Sequence, residues 1–168
     1  STALHLAEAG YTVIVLEAHR IGFGASGRNG GQIASGQRVD QESLIKIAGA
    51  STADLLWDLA EESKAIVKSL IKKHKIQCYL KSGIAELGLS HYQMNNMHRY
   101  ADFLSERYGY EYNTKLDREA TYALCPSPTY YGGYMDRDAG HLHPLRFAIG
   151  LAKAALKVGV KIFENTEV

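Results

Sequence analysis

The fold is indicated most clearly by two adjacent segments, Ala3-Leu-His-Leu-Ala-Glu-Ala-Gly10 and Tyr11-Thr-Val-Ile-Val-Leu-Glu17. The alanine and leucine side chains of the first segment share one face of a helix, and a glycine such as Gly10 commonly ends a helix. The second segment is an unbroken apolar run rich in β-branched residues, as is typical of a buried parallel strand. A helix, a glycine turn and a buried strand that ends in an acid form the second half of a βαβ unit. We therefore predict an α/β fold in which the first strand of this unit is absent from the sequence.

Further helices and short strands are predicted beyond this unit. Residues 51–74 carry apolar side chains at helical spacing, with acids early and lysines late, which complements the helix dipole. Residues 91–108 and 144–158 also have the pattern of helices, and the second of these begins at a proline. Strands are predicted at residues 78–80, 83–89, 111–112, 130–135 and 160–163.

Composition and charge exclude several classes of protein. Hydrophobic residues make up 46% of the chain and charged residues 22%, which is ordinary for a globular protein of 168 residues. The net charge of +1 gives no electrostatic reason to expect nucleic acid or an anionic membrane as a partner. The longest strongly apolar run, residues 13–16, is too short to span a bilayer. Cys78 and Cys125 lack a Cys-x-x-Cys spacing, so we expect a reduced, cytoplasmic protein.

The segment Gly22-Phe-Gly-Ala-Ser-Gly-Arg-Asn-Gly-Gly-Gln32 contains too much glycine for a regular element. Glycines let a backbone approach a flat or anionic ligand closely, and successive N–H groups can form an anion-binding nest. Arg28 adds a cation, and Ser26, Asn29 and Gln32 add neutral hydrogen-bonding groups. The alternative is a flexible surface loop. The apolar residues that flank the glycines favour a ligand-binding loop.

Residues 1–36 resemble the glycine oxidase and D-amino-acid oxidase family of flavoproteins, and within that family the γ-glutamylputrescine oxidase branch. The likeness is carried by residues 3–10, by Val13-Ile-Val-Leu-Glu17 and above all by Gly24-Ala-Ser-Gly-Arg-Asn-Gly-Gly31. It extends more weakly to residues 140–146, which resemble the segment that returns from the family's substrate domain. Residues 164–168 resemble the strand whose end touches the adenine of the cofactor.

The resemblance implies FAD as the cofactor. It implies an α/β fold in which an incomplete Rossmann-like FAD-binding domain (residues 1–48 and 138–168) is joined to part of a mixed α+β substrate domain (residues 49–137). The acid at the strand end would bind the adenosine ribose, and the glycine loop would pass along the pyrophosphate, the ribityl chain and the flavin ring. The implied cofactor-binding residues are Glu17, Ala25, Ser26, Arg28, Asn29, Gly30, Gly31, Gln32 and Val168.

The implied activity is the oxidation of a small-molecule amine or amino acid. A hydride would pass to the flavin, the product would be an imine, and oxygen would reoxidise the flavin with release of hydrogen peroxide. The sequence assigns no catalytic residue and no oligomeric state. Two alternatives stay open, namely a dehydrogenase of the same fold that passes electrons to a carrier, and a non-catalytic remnant of a flavoprotein.

The family's Gly-x-Gly-x-x-Gly turn would stand immediately before Ser1, and the chain begins directly in a helical pattern. We therefore expect the chain to be an internal piece of a longer protein. Because the pyrophosphate turn would then be missing, we expect this piece alone to bind FAD poorly or not at all and to be inactive.

The segment Asp136-Arg-Asp-Ala-Gly-His-Leu-His143 places acids and histidines at alternate positions, which on a strand would share a face and could hold a metal. The spacing fits no zinc pattern. We favour the other interpretation, a turn whose polar side chains cap the helix that begins at Pro144, and we expect no metal.

Overall fold

The computed structural model describes all residues from Ser1 to Val168. The chain divides into two compact units, one formed by Ser1–Leu80 with His141–Val168 and the other by Lys81–Gly140. In chain order the elements are helix α1 (Thr2–Glu8), strand β1 (Ile14–Leu16), a 3₁₀ turn (Ala25–Gly27), strand β2 (Gln32–Ile33), helices α2 (Gln41–Ala48) and α3 (Ala50–His74), strand β3 (Lys81–Gly88), helix α4 (His91–Tyr108), strand β4 (Asn113–Leu116), helix α5 (Arg118–Leu124), strand β5 (Gly132–His141), helix α6 (Pro144–Lys157) and strand β6 (Lys161–Phe163).

The first unit contains the predicted parallel strand pair. Strand β1 runs parallel to β6, with Val15 opposite Ile162. These two side chains pack towards a core formed by α1, α3 and α6. The buried members of that core are Leu4, Leu70, Ala154, Ala155 and Val160. The neighbouring side chains Ile14 and Leu16 point to the other face of the pair, where they are 57% and 49% exposed. We predicted a strand buried on both faces, but in the structure only one face of β1 is covered.

Helix α3 belongs to the first compact unit, whereas the predicted division began the substrate domain at residue 49. Leu70 of α3 lies in the same core as Leu4 of α1, and Ile76 just after α3 packs on α6. A Cβ atom at Gly150 of α6 would lie 2.2 Å from Cγ2 of Ile76, so only glycine allows this approach. The first compact unit therefore extends to residue 80, beyond the predicted boundary at residue 48, because the later part of α3, with Leu70, is buried in its core. The assignment of residues to a cofactor domain and a substrate domain stays a prediction.

The second unit is an antiparallel sheet with helices α4 and α5. Strand β5 pairs with β3 and with β4, and Asn113 of β4 lies opposite Asp136 of β5. Burial raises the pKa of Tyr134 on β5, and the nearby Glu86 carboxylate raises it further, so this phenol stays protonated. A parallel pair in one unit and an antiparallel sheet in the other confirm the predicted fold class. The strands predicted at 78–80 and 83–89 are replaced by the single strand β3.

No helix of the chain has both the length and the apolar content needed to cross a membrane.

The core of the first unit gives a stability prediction. Leu4 and Leu6 lie on the same helix, but Leu4 is 1% exposed and Leu6 is 42% exposed. We expect Leu4→Ala to lower the free energy of unfolding by about 2–5 kcal/mol, because it leaves a cavity among α1, α3 and α6. Chemical denaturation measures this loss.

Leu6→Ala is the matched control, since it removes the same atoms from a surface position and should cost much less. Equal losses for the two variants would contradict the placement of Leu4 in the core.

Candidate cofactor-binding site

Glu17 stands at the carboxyl end of strand β1. Its backbone N–H donates to the carbonyl oxygen of Phe163 at 2.9 Å, so the chain is still paired with β6 at this point. One carboxylate oxygen, Oε1, accepts a hydrogen bond from the N–H of His19 at 2.9 Å. This bond turns the chain back and holds the half-buried side chain in place. The other oxygen, Oε2, has no partner in the chain and can accept a hydrogen bond from a ligand hydroxyl.

The segment after β6 runs beside the segment after β1. The N–H of Thr166 donates to the carbonyl of Glu17 at 2.9 Å, and the N–H of Asn165 donates to the carbonyl of His19 at 2.9 Å. The carboxylate of Glu164 accepts the N–H of Ile21 at 2.8 Å. These bonds bring the carboxyl ends of both parallel strands to one edge. Val168 is fully exposed two residues beyond them.

The glycine loop has a defined shape because two of its backbone segments touch. A Cβ atom at Gly27 would lie 2.0 Å from the carbonyl oxygen of Gly22. Gly22 itself has a φ of +78°, a conformation that L side chains rarely adopt. Between them, Ala25–Gly27 form a single 3₁₀ turn with exposed side chains. The loop is therefore closed on itself.

The side chain of Asn29 forms hydrogen bonds with three backbone groups of the glycine loop. Its Nδ2 donates to the carbonyl oxygens of Ala25 at 2.9 Å and Ser26 at 3.2 Å, and its Oδ1 accepts the N–H of Gly31 at 2.8 Å. Both ends of the amide are thus engaged with loop backbone. The structure gives Asn29 a role that the sequence did not indicate, since the amide shapes the loop.

Gly31 joins the loop to the start of α6. Its carbonyl oxygen accepts the N–H of Leu142 at 2.8 Å, and its φ is +71°. A Cβ atom at this position would lie 1.9 Å from the carbonyl oxygen of Leu142. This contact excludes every residue except glycine and fixes one wall of the cleft described next.

A cleft of about 370 Å³ lies between the glycine loop, α3 and α6. Its polar side consists of Ser1, Ser26, Asn29 and Gln32, and its apolar side includes Ile33, Val67, Leu142, Phe147 and Leu151. The volume falls within the range of about 300–1,000 Å³ typical of small-molecule sites. Neutral hydroxyl and amide groups on one side and aliphatic and aromatic groups on the other suit a ligand with a polar chain and a flat apolar ring.

The structure brings some of the predicted site residues together and not others. Ser26, Asn29, Gly31 and Gln32 line the cleft. The guanidinium of Arg28 lies outside it, 4.4 Å from the centre of the Phe23 ring, in a cation–π contact on the exposed face of the loop. The predicted residues that do not line the cleft are Glu17, Ala25, Arg28, Gly30 and Val168.

The apolar wall of the cleft was missed from the sequence. Phe147 and Leu151 of α6 are four residues apart and therefore share one helical face, a spacing that could have identified them. Leu142 of this wall packs in one buried cluster with Ile76 and Cys78. Burial raises the pKa of the Cys78 thiol, so it stays protonated and acts as a small apolar group.

A wider groove of about 810 Å³ lies between the end of α3 and α6. Its charged lining is entirely basic and includes Lys75, Lys153 and Lys157. It contains no residue of the glycine loop. The groove therefore lacks the glycine-loop groups that make the cleft a candidate site.

Asp136 and His143, from the segment with alternating acids and histidines, have structural roles. Oδ1 of Asp136 accepts the hydroxyl of Tyr110 at 2.7 Å and the N–H groups of Asp138 and Ala139 at 3.0 Å. His143 is the N-cap of α6, with Nδ1 3.5 Å from the N–H of Arg146, so the predicted capping is found at this residue. The predicted turn is wrong for residues 136–141, which belong to strand β5. No group of three or more histidine, cysteine, aspartate or glutamate side chains is placed to hold a metal.

Neighbouring glycines of the loop give a matched pair of variants. We expect Gly31→Ala to destabilise the protein by about 2 kcal/mol or more, because the new Cβ would clash with Leu142 and adopt a positive φ. A Cβ at Gly30 would lie 3.5 Å from Oε1 of Gln32, an ordinary contact, and its φ is not positive.

Gly30→Ala should therefore be close to neutral in thermal or chemical denaturation. A stable Gly31→Ala protein would contradict the described loop conformation.

Comparison with known families gives a match along the whole chain. Residues 1–168 match the family model DAO, described as FAD dependent oxidoreductase. Oxidoreductase OrdL of Haemophilus influenzae is 40% identical over 168 residues. Gamma-glutamylputrescine oxidoreductase of Escherichia coli K12 is 39% identical over 168 residues. Each alignment covers 100% of this chain and 39% of the relative, so the chain spans about two fifths of the length of these relatives.

Solved structures show the same fold. Glycine oxidase from Bacillus cereus superposes with a TM-score of 0.77 at 22% identity, over 99% of this chain and 44% of that one. L-amino acid deaminase from Proteus vulgaris superposes with a TM-score of 0.75 at 22% identity, over 98% and 36%. At this level of identity the likeness concerns the fold alone.

Proposed function

The chain belongs to the family of FAD-dependent oxidoreductases, and from that premise we propose that the whole protein oxidises a small amine or amino acid. The observation that carries the proposal is the match of the family model to every residue from 1 to 168, glycine loop included. The relative from Escherichia coli, named for a γ-glutamyl derivative of putrescine, supports an amine as the class of substrate. The chain spans about two fifths of the length of these relatives, so the activity is proposed for the whole protein.

We propose that the first unit contributes to the FAD-binding domain and the second to the substrate domain. In this proposal the free Oε2 of Glu17 accepts the ribose hydroxyls, which matches the position of this carboxylate at the end of a parallel strand. Val168, on the segment tied beside Glu17, borders the adenine.

The glycine loop supplies the groups for the rest of the cofactor. Ser26, Gly31 and Gln32 face the cleft and would contact the chain between the two ring systems. Ala25 and Gly30 offer exposed backbone beside them. Arg28, held over Phe23, would act from the rim of the loop as a cation near the pyrophosphate. These neutral donors, one cation and one acceptor fit the cofactor that the family requires.

When bound, FAD would accept the hydride from the carbon beside the substrate nitrogen, leaving an imine, and would return the electrons to oxygen as hydrogen peroxide. The residues of this chain bind and orient: the acid fixes one end of the cofactor, and the apolar wall of Phe147 and Leu151 keeps water from the other. A substrate base is assigned to none of these residues.

The ribose contact can be tested in the whole protein by Glu17→Gln. This change keeps the size of the side chain but removes the charge that strengthens a hydrogen bond from a hydroxyl. We expect FAD affinity, measured by quenching of flavin fluorescence, to fall about tenfold to a hundredfold. Glu167→Gln removes an exposed carboxylate from the same edge and is the matched control.

If both variants bind FAD like the unchanged protein, Glu17 does not hold the ribose.

The reaction itself is tested with a panel of small amines and amino acids. Bleaching of the flavin band under anaerobic conditions reports reduction by the substrate, and peroxide released in air reports oxygen as the acceptor. Bleaching without peroxide would favour a dehydrogenase that passes electrons to a carrier. A colourless protein that takes up no FAD would favour the non-catalytic remnant and end the proposal.

A further inference from the structure

Lys64 is a buried cation in the middle of α3. Its side chain is 3% exposed, and its ammonium lies 2.7 Å from Oε2 of Glu61, one turn earlier on the same helix. The ammonium also donates to the hydroxyl of Ser35 at 2.7 Å. An unpaired charge in this position would be costly, so the ion pair is what allows lysine here. The partner Ser35 lies 29 residues earlier in the sequence.

The ion pair holds two consecutive residues of the segment that follows the glycine loop. While Lys64 donates to Ser35, the second carboxylate oxygen of Glu61 accepts the N–H of Gly36 at 3.3 Å. The segment is thus bound by a donor and an acceptor of opposite charge. Hydrogen bonds to charged groups stabilise a structure more than bonds between neutral groups do. We therefore expect these two bonds to restrain residues 35 and 36.

The same face of α3 contacts the segment at two further points. A Cβ at Gly36 would lie 3.2 Å from the ring of buried Trp57, and Gly36 has a φ of +69°. Gln37 donates through Nε2 to the carbonyl of Leu56 at 2.9 Å. The segment therefore lies directly on α3.

We infer that Lys64 is a positioning residue for the cofactor cleft. Gln32 and Ile33 line the cleft, and Ser35 follows two residues later. Just before the cleft-lining strand β2, the carbonyl of Gly31 accepts the N–H of Leu142. Just after β2, Lys64 and Glu61 bind the next segment through Ser35 and Gly36. Lys64 acts on FAD through Ser35, to whose hydroxyl its ammonium donates. This inference rests on the proposed function, because it takes FAD as the occupant of the cleft.

The test uses Lys64→Met in the whole protein, with two readouts. Hydrogen–deuterium exchange of the peptide that contains Ser35 and Gly36, measured without FAD, reports the anchor itself. FAD affinity, measured by flavin fluorescence, reports its effect on the cleft. We expect faster exchange at these amides and an affinity about tenfold lower. Lys72→Met, an exposed position on the same helix, should change neither readout.

Ser35→Ala is the second variant, because it removes the contact of the loop with the cation and leaves the ion pair of α3 in place. It should reproduce both effects to a smaller extent, and it carries the test if Lys64→Met does not fold. Lys64→Arg, which keeps the charge, should retain most of the affinity.

A lower melting temperature for Lys64→Met and Ser35→Ala, with exchange at Gly36 and FAD affinity both unchanged, would show that Lys64 only stabilises the fold and would overturn the inference. Faster exchange with unchanged FAD affinity would also overturn it, since the anchor would then not reach the cleft. If the unchanged protein binds no FAD, the proposed function fails and the inference fails with it, even where the exchange readout still shows the anchor.

Discussion

The candidate cofactor cleft depends on one close contact between two segments of the backbone. The carbonyl of Gly31 accepts the N–H of Leu142, and no atom beyond the α-carbon fits between them. This bond joins a loop near the start of the chain to the residue that precedes α6 by two positions. Because it brings these distant segments together, it creates the cleft, with loop groups on one side and Phe147 on the other. A side chain at position 31 would separate the two walls.

Helix α3 supports both the core and the cleft, and it does so with different residues. Near its end, Leu70 packs between α1 and α6 in the apolar core. Earlier along the helix, Trp57 lies under Gly36 and the Glu61–Lys64 ion pair holds the segment after the glycine loop. A displacement of α3 would therefore disturb both the segment after the glycine loop and the core beneath the strand pair.

The family relation and the geometry support the function from different sides. Membership in the FAD-dependent oxidoreductases follows from the match over the whole chain. The geometry adds an acid with one free oxygen at the end of a parallel strand, and a cleft with a polar and an apolar side. Together they describe how part of a dinucleotide could be held. The chain spans 39% of the length of these relatives.

Local patterns in the sequence were sufficient for the α/β class, for the acid at the end of β1 and for an irregular glycine-rich loop. Helix periodicity, β-branched runs and glycine content each depend on a few neighbouring residues only. The roles within the loop could not be obtained in this way. Asn29 has its amide turned inward, Arg28 lies over Phe23, and both outcomes depend on how the backbone closes. The burial of Lys64 could not be predicted from the sequence, because a lysine on a helix is ordinarily exposed and its partner Ser35 is 29 residues away. Sequence patterns alone predicted the fold class and the region of the candidate site, whereas long-range packing sets which side chains line the cleft. The physical reason is that contacts between distant segments, such as the one between residues 31 and 142, form only when the chain has packed.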